Sequence, residues 1–288
     1  MALTTRRSAL TVFGAALACA GFAIPTASAQ SPHRRRGLRP LTHAHAHNDY
    51  DHPRPLLDAL DHRFGSVEAD IYLVDGELLV AHDLADLDPS RTLESLYLDP
   101  LLARVRANGG SVYQGWHTSL ELLIDIKTDG AAAYRALDRR LRPYRQMLTE
   151  YTAGTVTVRA VTPVISGDRA ARAPMEEQER RYAFYDGRLD DLGSGALASF
   201  IPLISDNWST LFTWRGTGDF PSAESDRLND IVTTAHDNGQ RVRFWETPDT
   251  PGPARDALWG ELLTAGVDLL NTDDLAGLEA FLDAHGGD

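Results

Sequence analysis

The chain has 288 residues, of which 43% are hydrophobic and 24% are charged, values typical of a globular protein rather than a disordered or fibrous one. Its formal net charge of −13 at pH 7 disfavours nucleic acid and anionic membrane surfaces as partners. The single cysteine, Cys19, lies in a segment that we expect to be removed. We therefore expect neither disulfides nor a thiolate metal site in the mature protein.

The first 29 residues have the pattern of a secretory signal peptide. Arg6 and Arg7 precede an apolar run over residues 9–24, and Ala27-Ser28-Ala29 forms an A-x-A cleavage site. We predict cleavage after residue 29 and export to the periplasm or the extracellular medium, and the paired arginines suggest the twin-arginine route. Cleavage removes two arginines and no acids, so the formal net charge goes from −13 to about −15.

Two alternatives would keep this segment attached to a membrane. The apolar run could be an anchor, but it is short for a transmembrane span and is interrupted by Pro25. Cys19 could carry a lipid, but Ala16 stands where a branched aliphatic residue is usual. We favour cleavage, and we predict no stable membrane insertion of the mature chain.

After a short basic linker at residues 30–39, residues 40–288 alternate apolar, strand-like runs with amphipathic stretches. In chain order the pattern predicts a strand at 38–45, a helix at 53–62, a strand at 66–73 with a hairpin return at 77–82, a helix at 91–108, a strand at 120–126, a helix at 131–149, an extended run at 155–165 with a bend near Val161, short strands at 182–185 and 201–204, a helix at 224–238, a strand at 241–245, a helix at 254–265, a strand at 267–270 and a last helix at 275–284.

Eight core strands separated by mostly helical connections predict a parallel sheet with crossover helices. Eight such units in about 259 residues favour an α/β fold that is a closed (β/α)8 TIM barrel, formed as a single domain over residues 40–288. An open doubly wound sheet is less consistent with the sequence, because no glycine-rich phosphate loop follows a strand. The active site of such a barrel lies at the C-terminal ends of its strands.

Two predicted strands carry pairs of charged residues at these ends. Glu68 and Asp70 are two residues apart, so they face the same side of a strand. Two carboxylates in an apolar barrel would repel each other and lose hydration, and a divalent cation relieves both problems. Asp125 and Lys127 repeat the spacing on the next barrel strand. Oxygen ligands without cysteine favour a hard ion, Mg²⁺ or Ca²⁺.

Single residues add to this pattern. Lys127 is the only lysine beside 27 arginines, which suggests a site that needs a compact ammonium group. His82 follows an apolar run near the acids and suits acid/base chemistry, whereas His117, His236 and His285 are predicted to lie on the surface.

The segment LTHAHAHNDYDH contains three alternating histidines: His43, His45 and His47. With the acids and His82, it resembles the superfamily of glycerophosphodiester phosphodiesterases and phosphatidylinositol-specific phospholipases C. AHNDY, FYDGRL, PLISDNW and RFWETPD further resemble a bacterial and fungal subgroup of phosphodiesterase-like proteins. The resemblance covers most of the mature chain and implies a barrel with two histidines and one metal ion.

The resemblance implies roles for particular residues. His47 and His82 would be the catalytic acid/base pair, and Asn48 would join Glu68, Asp70 and Asp125 as a metal ligand. Lys127 and Trp245 would contact the substrate or its phosphate, although Trp245 also reads as a core aromatic. His45 would point into the barrel, either as a phosphate contact or as a residue that supports the site from behind. The chain departs from the glycerophosphodiesterase pattern, because no arginine follows the first histidine and Asp125 replaces a longer glutamate.

We therefore predict a metal-dependent phosphodiesterase for a small-molecule or lipid-derived substrate. One alternative is a metal-dependent amidohydrolase that uses His45 and His47 with Asp273, but Asp186 and Asp206 stand where that class needs histidines. Another is a secreted barrel that binds a ligand without turnover. The sequence carries no signal for the leaving alcohol or for an oligomeric state.

Overall fold

The computed structural model describes residues 37–286, so the predicted signal peptide, Cys19 and most of the basic linker lie outside the described residues. The strands are β1 Leu41–Ala46, β2 Phe64–Val74, β3 Glu77–Val80, β4 Leu120–Ile126, β5 Glu150–Thr152, β6 Thr155–Thr157, β7 Val161–Gly167, β8 Arg180–Arg181, β9 Phe184–Gly187, β10 Leu203–Asn207, β11 Arg241–Trp245 and β12 Leu270–Thr272. The α-helices are α1 Leu57–Asp61, α2 Asp99–Ala107, α3 Gly130–Leu141, α4 Arg172–Glu176, α5 Trp208–Leu211, α6 Ser222–Asp237, α7 Pro253–Ala265 and α8 Leu275–His285.

Within residues 37–286, eight parallel strands form a nearly closed barrel. Their order is β11-β10-β9-β7-β4-β2-β1-β12, and a parallel bridge between Arg243 and Leu269 brings the two ends of this order together. β3 pairs antiparallel with β2 as the predicted hairpin. The predicted (β/α)8 barrel is therefore confirmed.

The predicted boundaries differ from the structure mainly around the middle of the chain. The helix predicted over residues 131–149 ends at Leu141, and a 3-10 turn that contains Pro143 follows it. Proline provides no N–H group for the helical hydrogen bond, which explains the early end. The extended run at 155–165 divides into β6 and β7, and β6 joins β5 and β8 in a small separate sheet.

Two apolar cores hold the barrel. The larger core includes helix residues such as Trp259 and outward-facing strand residues such as Val67 and Ile124. The smaller core joins Leu123 and Val164 with one residue from each of three further segments: Phe184, Leu203 and Leu269. Because side chains alternate along a strand, the residues two positions after Leu123 and Val164 face the barrel interior one layer higher. Those residues are polar, and they begin the candidate site.

The helices of the described region are short or amphipathic. None of them, over residues 37–286, combines the length and the apolar composition that crossing a bilayer requires.

Candidate active site

Three carboxylates from two neighbouring strands meet at the C-terminal mouth of the barrel. Glu68 and Asp70 lie on β2 and face the same side, and the strand register pairs Asp70 with Asp125 of β4. Each residue offers an oxygen, and these three oxygens all lie within 4.8 Å of one another. The structure thus brings together the three carboxylates that the sequence predicts as metal ligands.

Burial makes this cluster costly without a cation, because Glu68 and Asp70 are only 5% and 1% exposed. Burial and the charge of Glu68 raise the pKa of Asp70 to about 6, and burial likewise raises the pKa of Asp125. Burial would also raise the pKa of Glu68, but the Arg243 guanidinium and a hydrogen bond from His45 hold it well below its usual range. Glu68 is therefore the carboxylate that stays ionised.

One oxygen of the cluster has no partner within the described residues. Asp70 Oδ1 is buried and accepts no hydrogen bond there, whereas Oδ2 lies 2.6 Å from the Tyr50 hydroxyl. An unpaired carboxylate oxygen beside two further carboxylates suits a hard divalent ion such as Mg²⁺ or Ca²⁺. The three acids could therefore hold the predicted cation.

Lys127 completes the charged cluster. Its Nζ lies 3.0 Å from Asp70 Oδ2 and 3.3 Å from Asp125 Oδ1. Burial would lower its pKa, but the two carboxylates outweigh burial and raise the pKa above its ordinary value. The ammonium group therefore stays charged at the edge of the cavity.

His45 lies beneath the carboxylates and does not line the cavity. Its ring is fully buried, with Nε2 at 3.1 Å from Glu68 Oε2 and Nδ1 at 2.7 Å from Ser66 Oγ. Burial and the neighbouring charge of Arg243 lower its pKa to about 3, so the ring is neutral. The predicted phosphate contact of His45 is corrected, because both ring nitrogens are occupied and the side chain supports Glu68 instead.

Arg243 of β11 is a second buried partner of Glu68, and sequence reasoning missed it. Its NH2 group lies 2.9 Å from Glu68 Oε2, and its Nε lies 2.9 Å from Asn271 Oδ1. A usable signal was present, because Arg241, Arg243 and Trp245 alternate along β11 and therefore share one face.

His47 lies at the C-terminal end of β1 and is held by Asp273. Its Nδ1 is 2.8 Å from Asp273 Oδ1, so Nδ1–H donates to the carboxylate and Nε2 is left for other partners. Burial would lower the pKa of His47, but the hydrogen bond to Asp273 and the charge of Glu68 raise it above its ordinary value. Asp273 is a further residue whose role the sequence did not indicate.

His82 follows β3 and is held through Tyr50. The Tyr50 hydroxyl lies 3.0 Å from His82 Nδ1, 2.6 Å from Asp70 Oδ2 and 2.7 Å from Asn48 Oδ1. His82 Nδ1 also lies 3.2 Å from Asp70 Oδ2, and an ionised carboxylate only accepts, so Nδ1–H donates to Asp70. Asn48 also lines the cavity, and its part in binding a metal stays a prediction.

A cavity of about 280 Å³ joins these groups. It contains every predicted site residue except His45, which lies below it. Four further residues line its walls and were not predicted: Ser166, Arg188, Arg243 and Glu246.

The remaining histidines and acids agree with the phosphodiesterase pattern better than with the amidohydrolase alternative. His117, His236 and His285 are exposed, as predicted. Asp186 and Asp206 are the next-to-last residues of β9 and β10, so the positions where an amidohydrolase would need histidines hold carboxylates.

Gly167 supports Asp125 by its lack of a side chain. Its φ is +79°, and a Cβ there would collide with the Asp125 carboxylate and the backbone of Ile126. We expect Gly167→Ala to weaken divalent-ion binding and to lower the free energy of unfolding by about 1–3 kcal/mol. Calorimetric ion titration and thermal unfolding measure both effects.

Gly154→Ala is the matched control for this prediction. Gly154 also has a positive φ, +89°, but nothing lies within 4 Å of a Cβ there. Gly154→Ala therefore tests the effect of backbone strain without a collision of the added Cβ with neighbouring atoms. Equal ion affinity in Gly167→Ala and Gly154→Ala would contradict the supporting role of Gly167.

A parallel barrel with these carboxylates and histidines at its mouth is a phosphodiesterase-type barrel. The chain belongs to the family of AIM6-like phosphodiesterase domains, which residues 34–186 match. Residues 241–276 match the Glycerophosphoryl diester phosphodiesterase family.

Fungal relatives agree with this assignment, and a solved structure has the same fold. The chain is 32% identical to an "Altered inheritance of mitochondria protein 6 homolog" of Arthroderma benhamiae. The alignment of 274 residues covers 83% of each chain. It is also 32% identical to "Altered inheritance of mitochondria protein 6" of Eremothecium gossypii, over 85% of this chain and 71% of that protein. A glycerophosphoryl diester phosphodiesterase from Parabacteroides distasonis shares the fold, with a TM-score of 0.51 and 12% identity over 89% of each chain.

Proposed function

We propose that the protein is a metal-dependent phosphodiesterase, which cleaves a lipid-headgroup or glycerophosphodiester-type substrate with two histidines as acid and base. One observation carries the proposal: His47 and His82 line the same cavity as the carboxylates of Glu68, Asp70 and Asp125. Membership of a phosphodiesterase family supports the reaction class.

The electrostatics of the cavity support a requirement for a cation. Three of the four carboxylates in its lining meet within 4.8 Å of one another, so this part of the cavity would repel a phosphodiester anion unless a cation neutralises it. Glu68, Asp70 and Asp125 would hold a divalent ion, which neutralises charge on a phosphoryl oxygen when it is bound. Lys127 adds a permanent positive charge beside these acids.

The hydrogen bonds of the two histidines support their proposed roles. Asp273 accepts from Nδ1 of His47, and the Tyr50–Asp70 pair holds Nδ1 of His82. Both rings therefore use Nε2 for proton transfer. One takes the proton of the attacking hydroxyl, and the other gives a proton to the leaving oxygen. The attacking hydroxyl belongs to water or to the substrate itself, in which case a cyclic phosphate forms.

A turnover assay tests the proposal. The purified protein is given bis(p-nitrophenyl) phosphate, glycerophosphodiesters or phosphatidylinositol, with Mg²⁺, Ca²⁺ or EDTA. We expect hydrolysis of at least one diester, and its loss in EDTA. Zinc-dependent hydrolysis of an amide or lactone without diesterase activity would favour the amidohydrolase instead. Ligand binding without turnover of any ester would favour a binding protein.

Asp273→Asn tests how His47 is held. We expect the pKa of His47 to fall, because the charged acceptor that raises it becomes a neutral amide. An NMR titration in EDTA measures this pKa. Asp83→Asn is the control, since Asp83 takes no part in the hydrogen bonds of His47, so this variant should leave the pKa of His47 unchanged. An unchanged His47 titration would show that Asp273 does not hold the ring in solution.

A further inference from the structure

The N-terminal end of the barrel contains a buried ion pair that the proposed chemistry does not use. Arg241, the first residue of β11, donates from NH2 to Oε2 of Glu121 on β4. The Glu121 side chain is only 4% exposed, whereas Arg241 lines a cavity of about 250 Å³ at the start of the strands and is 36% exposed. Branched apolar side chains normally fill a barrel, and a buried ion pair contributes little to stability compared with apolar packing. The pair therefore needs an explanation other than folding stability.

Glu121 is connected to the carboxylate cluster through two side chains on neighbouring strands. The strand register places His45 beside Ser66, and Ser66 beside Glu121. Ser66 Oγ lies 2.7 Å from His45 Nδ1 and 3.2 Å from Glu121 Oε1. The other ring nitrogen, Nε2, lies 3.1 Å from Glu68 Oε2. A continuous line of buried contacts therefore joins the lower ion pair to Glu68.

The three contacts in this line share only two protons, one from the ring and one from the hydroxyl. The Glu68 carboxylate is ionised and the His45 ring is neutral, so the ring carries a single N–H group. If that group is Nε2–H, it donates to Glu68, and Nδ1 accepts the proton of Ser66. If Ser66 instead donates to Glu121, the ring keeps its bond to Ser66 only with its proton on Nδ1. The lone pair of Nε2 then faces the Glu68 carboxylate, so the direction of one hydroxyl decides whether Glu68 has this donor.

The charge of Arg241 bears directly on this choice. An ionised carboxylate is a stronger acceptor than a neutral imidazole nitrogen, because hydrogen bonds to charged groups are the stronger ones. An unpaired Glu121 would therefore take the Ser66 proton away from His45. The guanidinium is always charged and occupies Oε2 of Glu121, which weakens the attraction of the carboxylate for Ser66. The shorter of the two Ser66 contacts is the one to His45, which agrees with a proton on that side.

We propose that Arg241 is a positioning residue for Glu68 and acts by fixing the tautomer of the His45 ring. Its charge neutralises Glu121, so that Ser66 donates its proton to Nδ1. The ring proton then stays on Nε2 and holds the Glu68 carboxylate. The other tautomer has one proton fewer on Nε2 and one more on Nδ1, so the charge of the ring is the same in both. The consequence for a cation on Glu68 rests on the proposed function, whereas the tautomer does not.

Nitrogen NMR shifts of the His45 ring in EDTA test this role, because they distinguish the two tautomers without a cation or a substrate. The His45 signals are identified by their absence in His45→Asn. We expect the Nε2–H tautomer in wild type and the Nδ1–H tautomer in Arg241→Gln. Arg241→Lys keeps the charge and should resemble wild type. The double variant Glu121→Gln/Arg241→Gln has no carboxylate to compete for the Ser66 proton, so it should return to Nε2–H.

Two further variants separate this role from a general effect on folding. Arg140→Gln is the matched control: it removes an arginine from an ion pair with Glu77 on the outer surface, so the His45 tautomer should not change. Ser66→Ala leaves the buried ion pair intact and removes the donor to Nδ1, so the Nδ1 signal should move to that of an unbonded nitrogen. This variant keeps the test available if Arg241→Gln does not fold. The Nδ1–H tautomer in wild type, an unchanged tautomer in folded Arg241→Gln, or an unmoved Nδ1 signal in Ser66→Ala would overturn the proposal.

Calorimetric titration with Mg²⁺ or Ca²⁺ measures the consequence for the cation site. We expect the ion to bind roughly tenfold more weakly to Arg241→Gln, because a metal ligand that loses its supporting hydrogen bond binds less tightly. A pure charge effect has the opposite sign, since removing a positive charge favours a cation. Failure of wild type to bind either ion would refute the cation site of the proposed function and leave the tautomer to be decided by NMR. Wild-type affinity in an Arg241→Gln protein with a changed tautomer would overturn the positioning of Glu68.

Discussion

Replacing His47 or His82 with alanine is expected to lower kcat on a cleaved phosphodiester by about 10²–10⁴-fold, because each variant lacks one partner of the proton transfer. The protein should remain folded, since the two side chains are 29% and 56% exposed. Steady-state kinetics on bis(p-nitrophenyl) phosphate, beside thermal unfolding, measure both expectations. The double variant should lose little more than the worse single variant, because the two residues act as one unit.

His117→Ala is the matched control for the histidine variants. His117 is exposed and distant from the strand ends that form the cavity, so its loss should leave kcat within about twofold. Turnover that survives in both His47→Ala and His82→Ala would refute the two-histidine mechanism. If only one of the two variants loses turnover, only that histidine is catalytic.

Asp70→Asn is expected to stabilise the metal-free protein at pH 7.5 and to remove most of the stabilisation by Mg²⁺ or Ca²⁺. In wild type the folded-state pKa of Asp70 is raised to about 6, so ionising it disfavours folding. This penalty is absent at low pH, grows as the pH rises from about 4 to 6, and is complete at pH 7.5. Asparagine cannot ionise, and it keeps an oxygen that accepts from Tyr50.

The same titration sets the pH dependence of ion binding in wild type. Protons compete with the cation for Asp70, so stabilisation by the ion should be larger at pH 7.5 than at pH 5. An ion concentration 100 times the Kd gives about 2.7 kcal/mol, or roughly 5–10 °C in Tm. Differential scanning calorimetry with the ion or EDTA measures this increment.

The exposed Asp83, next to His82, provides the control for Asp70. Asp83→Asn removes one charge near the cavity without touching the cluster, so the ion should still raise its Tm as in wild type. An Asp70→Asn variant that is less stable than wild type in EDTA and is still stabilised by the ion would show that Asp70 is structural. Such a result would remove the main support for the cation site.

The sequence could predict those parts of the site whose residues stand out by their spacing or by their residue type. Glu68 and Asp70 show a two-residue period on one strand, Lys127 is unique in the chain, and the barrel follows from the alternation of strands and helices. Since the C-terminal ends of parallel strands meet at one face, residues far apart in sequence could be assigned to one place. The structure brings them together there.

The rest depended on tertiary contacts that no local pattern contains. Arg188 is one of 27 arginines, and only its buried partner Asp186 distinguishes it from a surface residue. Alternation along β11 indicates the face that Arg243 shares with Trp245, but not that Glu68 is its partner. His45 shows what strand alternation cannot predict. A period of two tells which face of a strand a side chain is on, but not how deep in the barrel it lies. The His45 ring faces the interior as expected, yet one layer below the cavity.

The ion pair between Glu68 and Arg243 has a consequence for how the barrel can be divided. The two residues are 175 positions apart, and they join the second strand to the seventh strand of the barrel in chain order. Residues 34–186 contain all three carboxylates and both histidines, but the guanidinium that pairs with Glu68 comes from β11. Removing that guanidinium from the folded barrel would leave the buried Glu68 unpaired, at a cost of about 3–5 kcal/mol. The N-terminal part of the barrel therefore carries the proposed reactive groups but not the partner of Glu68, so the two parts of the barrel depend on each other.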